Sequence, residues 1–439
     1  MFMDISPGKF RAQMLKTDEA ARQVLTGIFS RDLPPDRTLN DFFRRNRNCG
    51  SRDRKIIAAG IYSLLRFWGW MRKLPGEITA EIESGTVSLT AREMLVLIAG
   101  AVFVSGSDDG LFDNMRRELD IPAPRKVSGP LARIREFAAA VGLEKSFEMS
   151  DLIPENLSHL ITPQLAKEDI YANLVRRPPM WLRVRHDHWE KVTAELEKNN
   201  IDFTRPFQSL PAVAVYSPAV NLFTLTSFRE GLFEVQDLAS MCIGAAAGAV
   251  PGQRWFDACA GAGGKTLMLA ESMAGKGSIL AGDIRERALE NLRMRCRRAG
   301  YSNVSAKVHN GRNFKTRHPF DGVLLDVPCT GSGVWRRNPG FQWKLTPQQV
   351  EQYTATQQQI LENFSPAVRC GGVLVYATCS MFEAENFRRI EQFLETHPGF
   401  ELENFPHPLT GGPTGGMMQV NGAEFDCDWM FAARLRRNC

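Results

Sequence analysis

Residues 256–266 read FDACAGAGGKT, a short apolar segment followed by three glycines within four residues. A strand that leads through a glycine-rich turn into a helix is typical of ligand loops at the edge of a parallel sheet. Two phosphate-binding patterns fit this stretch poorly. The P-loop needs a glycine where Cys259 stands, and a dinucleotide fingerprint that begins at Gly261 needs a glycine where Thr266 stands. The loop therefore favours a nucleoside ligand that has no pyrophosphate.

An acidic residue further along supports a nucleoside ligand. Asp283 ends the predicted strand SILAGDI, about twenty residues after the glycines, where a carboxylate can accept both ribose hydroxyls. The same side chain can also cap the helix that follows, and the two roles are compatible. S-adenosylmethionine is the leading candidate cofactor. Its predicted contacts are Cys259, Ala260, Gly261, Ala262, Gly263, Gly264, Lys265 and Asp283.

Three regions of different pattern predict the domain organisation. Residues 1–150 show apolar residues at helical spacing and predict an all-α domain. Residues 151–232 mix short alternating segments with one helix and predict a small α+β subdomain. Residues 233–439 alternate strand and helix, which predicts an α/β domain built on a Rossmann-like parallel sheet.

Composition limits the class of protein. The chain has 439 residues, 44% of them hydrophobic, and a formal net charge of +5, which is compatible with a nucleic-acid partner. Basic residues cluster in residues 44–55, RRNRNCGSRDRK, although such a run also suits an ordinary solvated face. The nine cysteines are scattered without metal-ligand spacing, so we expect no metal site. The longest apolar run, residues 95–104, is far shorter than the roughly 20 residues of a bilayer span. We expect a cytoplasmic protein with no membrane partner and with free thiols.

Two cysteines end neighbouring predicted strands. Cys329 follows Asp326 at the end of FDGVLLDVP, and Cys379 follows the strand GGVLVYAT. A single cysteine at a strand end is most often a small packed hydrophobe. Two thiols and a carboxylate at one sheet edge instead suit attack on a pyrimidine ring. A thiolate that adds to carbon 6 of cytosine makes carbon 5 nucleophilic, a second group assists release, and a carboxylate near nitrogen 3 stabilises the adduct.

The attacking thiol needs nearby positive charge to lower its pKa. Lys265, Arg336 and Arg337 are candidates for this charge. Trp335 and Trp343 are equally compatible with base stacking and with core packing.

With these motifs in place, residues from about 150 to 439 resemble the Sun-type RNA (cytosine-5)-methyltransferases. The resemblance rests on VQDLAS, DACAGAGGKT, AGDI, LLDVPCTGSGVWRRNPGFQW and YATCS followed by EAEN. It implies that Cys379 is the nucleophile, that Cys329 assists product release and that Asp326 contacts the target base beside the cofactor. The helical N-terminus, through DRKIIAAGIYSLLRF, resembles the NusB-like RNA-binding domain of bacterial ribosomal-RNA members, and the middle segment resembles an RNA-recognition motif.

The chain departs from the family pattern at three places. Gly261 and Ala262 replace the usual Ala-Pro of the loop, which makes the loop looser. Asn310 replaces an aspartate that accepts from the adenine amino group; its amide oxygen can still accept this bond. Trp429 stands where a glycine is common, and the sequence offers no reason for it.

The resemblance implies an enzyme that makes 5-methylcytosine in RNA with S-adenosylmethionine, as a monomer. Ribosomal RNA is the favoured substrate because of the NusB-like region, and transfer RNA is the alternative. A non-catalytic RNA-binding assembly factor on the same fold is a second alternative. The presence of both cysteines, Asp326 and Lys265 argues against loss of catalysis.

Overall fold

The computed structural model describes residues 7–31, 33–74, 89–106, 109–216, 221–309, 311 and 314–439. The chain forms two compact units. The first comprises Met1–His159, Ala166–Arg177 and Trp335–Thr346, and the second comprises Leu160–Leu165, Pro178–Val334 and Pro347–Cys439. The division into three domains at residues 150 and 232 remains a prediction.

The described part of the first unit is helical. Its helices are α1 (Pro7–Arg31), α2 (Pro35–Arg45), α3 (Ser51–Arg66), α4 (Trp68–Met71), α5 (Ala91–Ser105), α6 (Asp109–Glu118), α7 (Pro130–Ala140), α8 (Glu155–Ser158) and α9 (Lys167–Leu174), with 3-10 turns at Met149–Leu152 and Phe341–Lys344. Helix α5 begins at a capping box, in which Thr90 accepts from the Glu93 N–H and Glu93 accepts from the Thr90 N–H. It ends at Gly106, whose φ of 60° is left-handed.

A half-buried arginine connects three segments of the first unit. Arg66, at the end of α3, donates hydrogen bonds of 3.0 Å to the carbonyls of Leu174, Arg176 and Arg336. Burial, followed by the charge of Arg336, lowers the pKa of Arg66 to about 10. These contacts explain why Trp335–Thr346 packs with the helical unit although it follows the second unit in sequence.

The second unit contains a small antiparallel sheet of order β2-β3-β1-β4. Its strands are β1 (Met180–Val184), β2 (Phe203–Thr204), β3 (Ala212–Val215) and β4 (Phe233–Val235). Helices α10 (Trp189–Lys198) and α11 (Thr226–Arg229) and 3-10 turns at His186–His188 and Leu222–Thr224 accompany it. Leu182, Val213 and Phe233 are buried in its core together with Val192 and Leu196 of α10.

The second unit also contains an eight-stranded sheet of order β10-β12-β9-β8-β5-β6-β7, with β11 paired to β12. Its strands are β5 (Arg254–Asp257), β6 (Ser278–Asp283), β7 (Val304–Val308), β8 (Phe320–Asp326), β9 (Val368–Thr378), β10 (Phe400–Leu402), β11 (Met417–Val420) and β12 (Met430–Arg437). The accompanying helices are α12 (Leu238–Ala246), α13 (Gly264–Ser272), α14 (Glu286–Ala299), α15 (Pro347–Phe364) and α16 (Phe387–Thr396), with 3-10 turns at Ser332–Val334, Ser365–Ala367 and Glu383–Glu385.

This sheet confirms the predicted Rossmann-like fold. Strands β5 to β9 are parallel, and β12 is antiparallel to β9. The chain moves from β5 to β6 and β7 on one side, then returns to β8 and β9 on the other. This reversal beside β5 is the topological switch point where open α/β sheets bind ligands. Among the described residues, no helix is both long and apolar enough to span a bilayer.

Candidate active site

A cavity of about 820 Å³ lies at the carboxyl ends of β5, β6, β8 and β9. The sheet brings together most of the residues that the sequence predicts for the site. Those that line the cavity are Cys259, Ala260, Gly261, Ala262, Gly264, Lys265, Asp283, Asp326, Cys329 and Cys379. Asn310 lies outside the described residues. The predicted cofactor loop and both predicted thiols therefore line the same cavity.

The glycine-rich loop needs its glycines for different reasons. Gly261 has a left-handed φ of 53°, and its N–H donates to Asp283 at 2.9 Å. Gly263 has a φ of 87°, and a Cβ there would lie 2.7 Å from Leu292 of α14. Gly263 thus allows close packing of helix and loop, whereas Gly261 and Gly264 line the cavity. Arg295 of α14 fixes the loop from outside, because its guanidinium donates to the Ala262 carbonyl at 2.8 Å.

Asp283 is almost completely buried and accepts four hydrogen bonds. The donors are the backbone N–H groups of Gly261 and Arg285 and two nitrogens of the Arg285 side chain, at 2.9 to 3.1 Å. Burial raises the pKa of Asp283, but the bonds from Arg285 outweigh it, and the net pKa is lowered. The Arg285 side chain is 67% exposed, so ribose hydroxyls can replace it without disturbing the two backbone bonds.

Asp257, at the end of β5, also lines the cavity, although sequence reasoning did not select it. It is 1% exposed, and its Oδ2 accepts from the Thr266 hydroxyl at 2.6 Å. Its buried Oδ1 accepts no well-formed hydrogen bond among the described residues, although the nearby Cys259 N–H acts to lower the pKa of this carboxyl. Burial, opposed by the Thr266 bond, raises the pKa of Asp257 to about 7. A buried, unsatisfied acceptor beside a ligand cavity suits a cationic or N–H group of a ligand. The signal in the sequence that could have identified Asp257 is its position at the end of a strand, directly before the glycine-rich turn.

Lys265 and Asp326 form an ion pair inside the cavity. Lys265 Nζ lies 2.6 Å from Asp326 Oδ2, and the lysine side chain is 9% exposed. Burial acts to lower the pKa of Lys265, but the ion pair with Asp326 raises it, and the charge of Cys379 adds to this effect. The lysine therefore stays protonated, with both a carboxylate and a thiol within range of its charge.

The two predicted thiols meet. The Sγ atoms of Cys329 and Cys379 lie 3.3 Å apart, although 50 residues separate them in the sequence. They are neighbours because β8 and β9 pair in parallel, with Asp326 opposite Ala377. The hydrogen bond to Cys379, followed by burial, raises the pKa of Cys329 well above its ordinary value. The raised pKa favours the protonated form of Cys329.

The other charged and aromatic residues that the sequence singled out lie in the first unit. Trp335, Arg336, Arg337 and Trp343 belong to its segment Trp335–Thr346. Arg336 donates to the carbonyls of Arg176 and Arg177 at 3.1 and 3.0 Å. Trp343 stacks under the guanidinium of Arg72 at 4.4 Å. Trp429, in the second unit, is 2% exposed and would contact any side chain placed at Gly422.

The sheet order, the switch-point cavity and the glycine-rich turn with its acidic partner are typical of Rossmann-like proteins that bind a nucleoside cofactor such as S-adenosylmethionine. Residues 247–436 match the sequence model of the family described as 16S rRNA methyltransferase RsmB/F. This match confirms, over the methyltransferase region, the resemblance to Sun-type RNA methyltransferases that the motifs predict.

Curated relatives agree with the family match. The chain is 34% identical over 220 residues to the probable ribosomal RNA small subunit methyltransferase B of Synechocystis sp., covering 48% of this chain and 49% of the relative. It is 34% identical over 256 residues to ribosomal RNA small subunit methyltransferase B of Yersinia pestis, covering 54% and 58%. The chain thus spans about half the length of the curated relatives it matches.

Solved structures share the fold. The crystal structure of PH0851 covers 99% of this chain and all of its own chain, with a TM-score of 0.72 at 23% identity. The structure of NSun6 from Pyrococcus horikoshii with SFG covers 65% of this chain and 98% of its own, with a TM-score of 0.56 at 20% identity. At these identities the likeness concerns the fold alone.

Proposed function

We propose that this protein methylates carbon 5 of a cytosine in ribosomal RNA, with S-adenosylmethionine as methyl donor and a covalent Cys379–cytosine adduct as intermediate. The observation that carries the proposal is the pair of thiols, 3.3 Å apart, on the same cavity as the glycine-rich loop and the Lys265–Asp326 ion pair. A purely structural role for these cysteines does not account for a carboxylate, an ammonium and two thiols on one cavity.

The residues of the cofactor side of the cavity fit S-adenosylmethionine. Asp283 would accept the ribose hydroxyls once Arg285 moves aside, and the backbone of Gly261 and Gly264 allows close approach. The unsatisfied Oδ1 of Asp257 would accept from the ammonium of the methionine portion. Asn310 stays the predicted adenine contact. When bound, S-adenosylmethionine supplies an electrophilic methyl group, and the chain's own residues must create the nucleophile that takes it.

Cys379 would create that nucleophile. Its sulfur forms a bond to carbon 6 of cytosine, the ring double bond opens, and carbon 5 gains enamine character. Attack requires a thiolate, and Lys265 supplies a positive charge on the cavity that Cys379 lines. Asp326, oriented by its ion pair with Lys265, would accept a hydrogen bond from the ring edge once nitrogen 3 takes up a proton, which stabilises the adduct.

Cys329 would assist the end of the reaction. Once carbon 5 carries the methyl group, its proton leaves to a base and the bond between carbon 6 and sulfur breaks, which restores the ring. The departing Cys379 sulfur needs a hydrogen-bond donor, and the protonated Cys329 thiol lies 3.3 Å from it. The raised pKa of Cys329 keeps that proton available.

The family description and the names of the curated relatives support ribosomal RNA as the substrate. The helical unit offers a surface for RNA in the basic cluster, defined as Arg44, Arg45, Arg47, Arg52, Arg54 and Lys55, all of which are exposed. Such residues neutralise phosphates without reading sequence. The target base would have to leave its stack to reach the thiols.

The experiment that tests the mechanism compares two single substitutions. Cys379→Ala should abolish both methylation and covalent trapping of RNA, because no sulfur attacks carbon 6. Cys329→Ala should accumulate a protein–RNA adduct that resists denaturing electrophoresis, because attack survives and release fails. Cys329→Ser, which keeps a hydroxyl donor at the same position, should release product faster than Cys329→Ala. Adduct formation by Cys379→Ala but not by Cys329→Ala would reverse the two roles.

Bisulfite mapping of RNA from cells with and without the gene tests the substrate. We expect a cytosine in small-subunit ribosomal RNA that is protected from deamination only when the protein is present. Protection confined to transfer RNA would replace the proposed substrate. Absence of any protected position, together with binding of unmodified RNA, would favour a non-catalytic assembly factor.

A further inference from the structure

One buried carboxylate accepts hydrogen bonds from the residues that follow both thiols. Thr330 follows Cys329, and Ser380 follows Cys379. The Thr330 N–H donates to Glu385 at 2.9 Å and the Thr330 hydroxyl donates at 2.5 Å. The Ser380 hydroxyl donates to the same carboxylate. Glu385 thus joins the loop after β8 to the loop after β9 at the first residue beyond each thiol.

A fourth donor completes this arrangement. Gln357 of α15 donates to Glu385 at 2.9 Å, and the same amide nitrogen donates to the Pro328 carbonyl at 3.1 Å. Glu385 and Gln357 are both 0% exposed. Burial raises the pKa of Glu385, whereas the bonds from Ser380 and Thr330 act to lower it. Burying a carboxylate is unfavourable unless its oxygens are satisfied, and here four donors satisfy them.

We propose that Glu385 is a positioning residue that sets the separation of the Cys329 and Cys379 sulfurs. It does not line the cavity, so it acts through the two loops and not on the substrate. The proposal rests on the proposed function, because the separation matters only if one thiol attacks and the other assists release. Sequence reasoning noted EAEN as a motif but assigned no role to its second acid.

Other hydrogen bonds support the same geometry without replacing Glu385. The Gly333 N–H donates to the Cys379 carbonyl at 2.9 Å, and the Ser332 and Ser380 hydroxyls lie 3.0 Å apart. These bonds join the same two loops at residues further along the first loop than Thr330. The Thr330 and Ser380 hydroxyls also lie 3.4 Å apart, but each makes a shorter bond to the Glu385 carboxylate, so removal of that carboxylate should let the thiols separate while the backbone stays folded.

The test uses the full-length protein and reads the sulfur separation directly. Diamide oxidises two nearby thiols to a disulfide, and the rate of Cys329–Cys379 cross-linking, followed by mass spectrometry of proteolytic peptides, reports their proximity. We expect Glu385→Ala to cross-link at least about ten times more slowly than wild type. We expect its kcat for RNA methylation to fall about a hundredfold, since an ångström of misplacement has such an effect. Its KM for S-adenosylmethionine should stay unchanged.

Three variants make the outcome decisive. Glu385→Gln keeps an oxygen for the Thr330 N–H and for Gln357 and should recover part of the cross-linking rate. Thr330→Val removes only the hydroxyl that donates to Glu385. It replaces Glu385→Ala in the cross-linking test if Glu385→Ala does not fold. Glu383→Ala is the matched control, since Glu383 lies in the same 3-10 turn and bonds Thr162 instead.

Two outcomes overturn the proposal. One is wild-type cross-linking and kcat in a folded Glu385→Ala protein, and the other is an equal loss in Glu383→Ala. Failure of the proposed function would look different, because the wild-type protein itself would then not methylate cytosine, whatever the cross-linking rates of the variants.

Discussion

Asp257→Asn should make the protein more stable at alkaline pH and weaken its cofactor binding. Asparagine has nearly the same shape, and its amide oxygen can still accept the Thr266 hydroxyl that Asp257 accepts at 2.6 Å. What changes is the charge. The pKa of Asp257 is about 7 in the folded protein against an ordinary value of 3.8, because the carboxyl is buried. The folded state therefore holds the proton more tightly than the unfolded state does.

The sign and the magnitude follow from linkage. The stability that the protonated carboxyl contributes is fully present below pH 3.8 and is lost as the pH rises through 7. A shift of about 3 pKa units at about 1.4 kcal/mol per unit corresponds to about 4 kcal/mol. The free energy of unfolding of Asp257→Asn minus that of wild type should therefore rise by about 4 kcal/mol between pH 4 and pH 8.5.

Urea unfolding at several pH values, followed by tryptophan fluorescence, measures this difference. Asp321→Asn is the control of opposite sign. Asp321 is the second residue of the neighbouring strand β8, and although burial acts to raise its pKa, the bonds from Arg254 and Arg369 lower it overall. This control should be less stable than wild type near neutral pH. A stability difference for Asp257→Asn that does not change with pH would refute the reasoning.

The predicted effect of Asp257→Asn on cofactor binding is measured by calorimetry. At pH 8 wild-type Asp257 is ionised and can accept a charged donor, so Asp257→Asn should raise the Kd for S-adenosylmethionine about tenfold. Stabilisation of the free protein together with weaker ligand binding is the combination expected of a carboxylate retained for function. Unchanged affinity would show that Oδ1 does not contact the ligand.

Three further predictions concern the loop and the RNA. Arg295→Ala should raise the Kd for S-adenosylmethionine about fivefold by calorimetry, because the Ala262 carbonyl loses its donor, whereas the exposed Arg297→Ala on the same helix should not. Gly263→Ala should lower the free energy of unfolding by about 2 kcal/mol in urea titrations, since its left-handed φ and the contact with Leu292 both oppose a Cβ. Replacing two arginines of the basic cluster by glutamine should reduce the salt dependence of RNA binding by about two units of log-log slope, and an unchanged slope would place RNA elsewhere.

The sequence predicts those parts of the site that lie at the carboxyl ends of strands. Parallel strands present their carboxyl ends at one edge, so a strand that ends in Asp326-Val327-Pro328-Cys329 and a neighbour that ends in Cys379 must deliver both thiols to the same place. The fold followed from the same alternation of apolar strands and amphipathic helices. Strand β7 (VSAKV) escaped prediction because it is a short edge strand with mostly exposed side chains.

Other features required coordinates because they depend on contacts distant in sequence. The role inferred for Glu385 depends on donors 28 and 55 residues away. The unsatisfied oxygen of Asp257 is visible only once its surroundings are known. Likewise, nothing local in Trp335–Thr346 indicates that this segment packs with the helical unit; the decisive contact is the Arg66 guanidinium on the Arg336 carbonyl.

The electrostatics of the cavity distinguish two cysteines that the sequence presents as equivalent. The bond to Cys379, burial and the charge of Glu385 all raise the pKa of Cys329, so this thiol keeps its proton. Lys265 places a positive charge on the cavity that Cys379 also lines. Attack needs a thiolate, and departure of the same sulfur needs a nearby proton donor. A protonated Cys329 thiol 3.3 Å from the Cys379 sulfur suits the second requirement, and this geometry is the physical basis, apart from family resemblance, for proposing Cys379 as nucleophile and Cys329 as its partner in release.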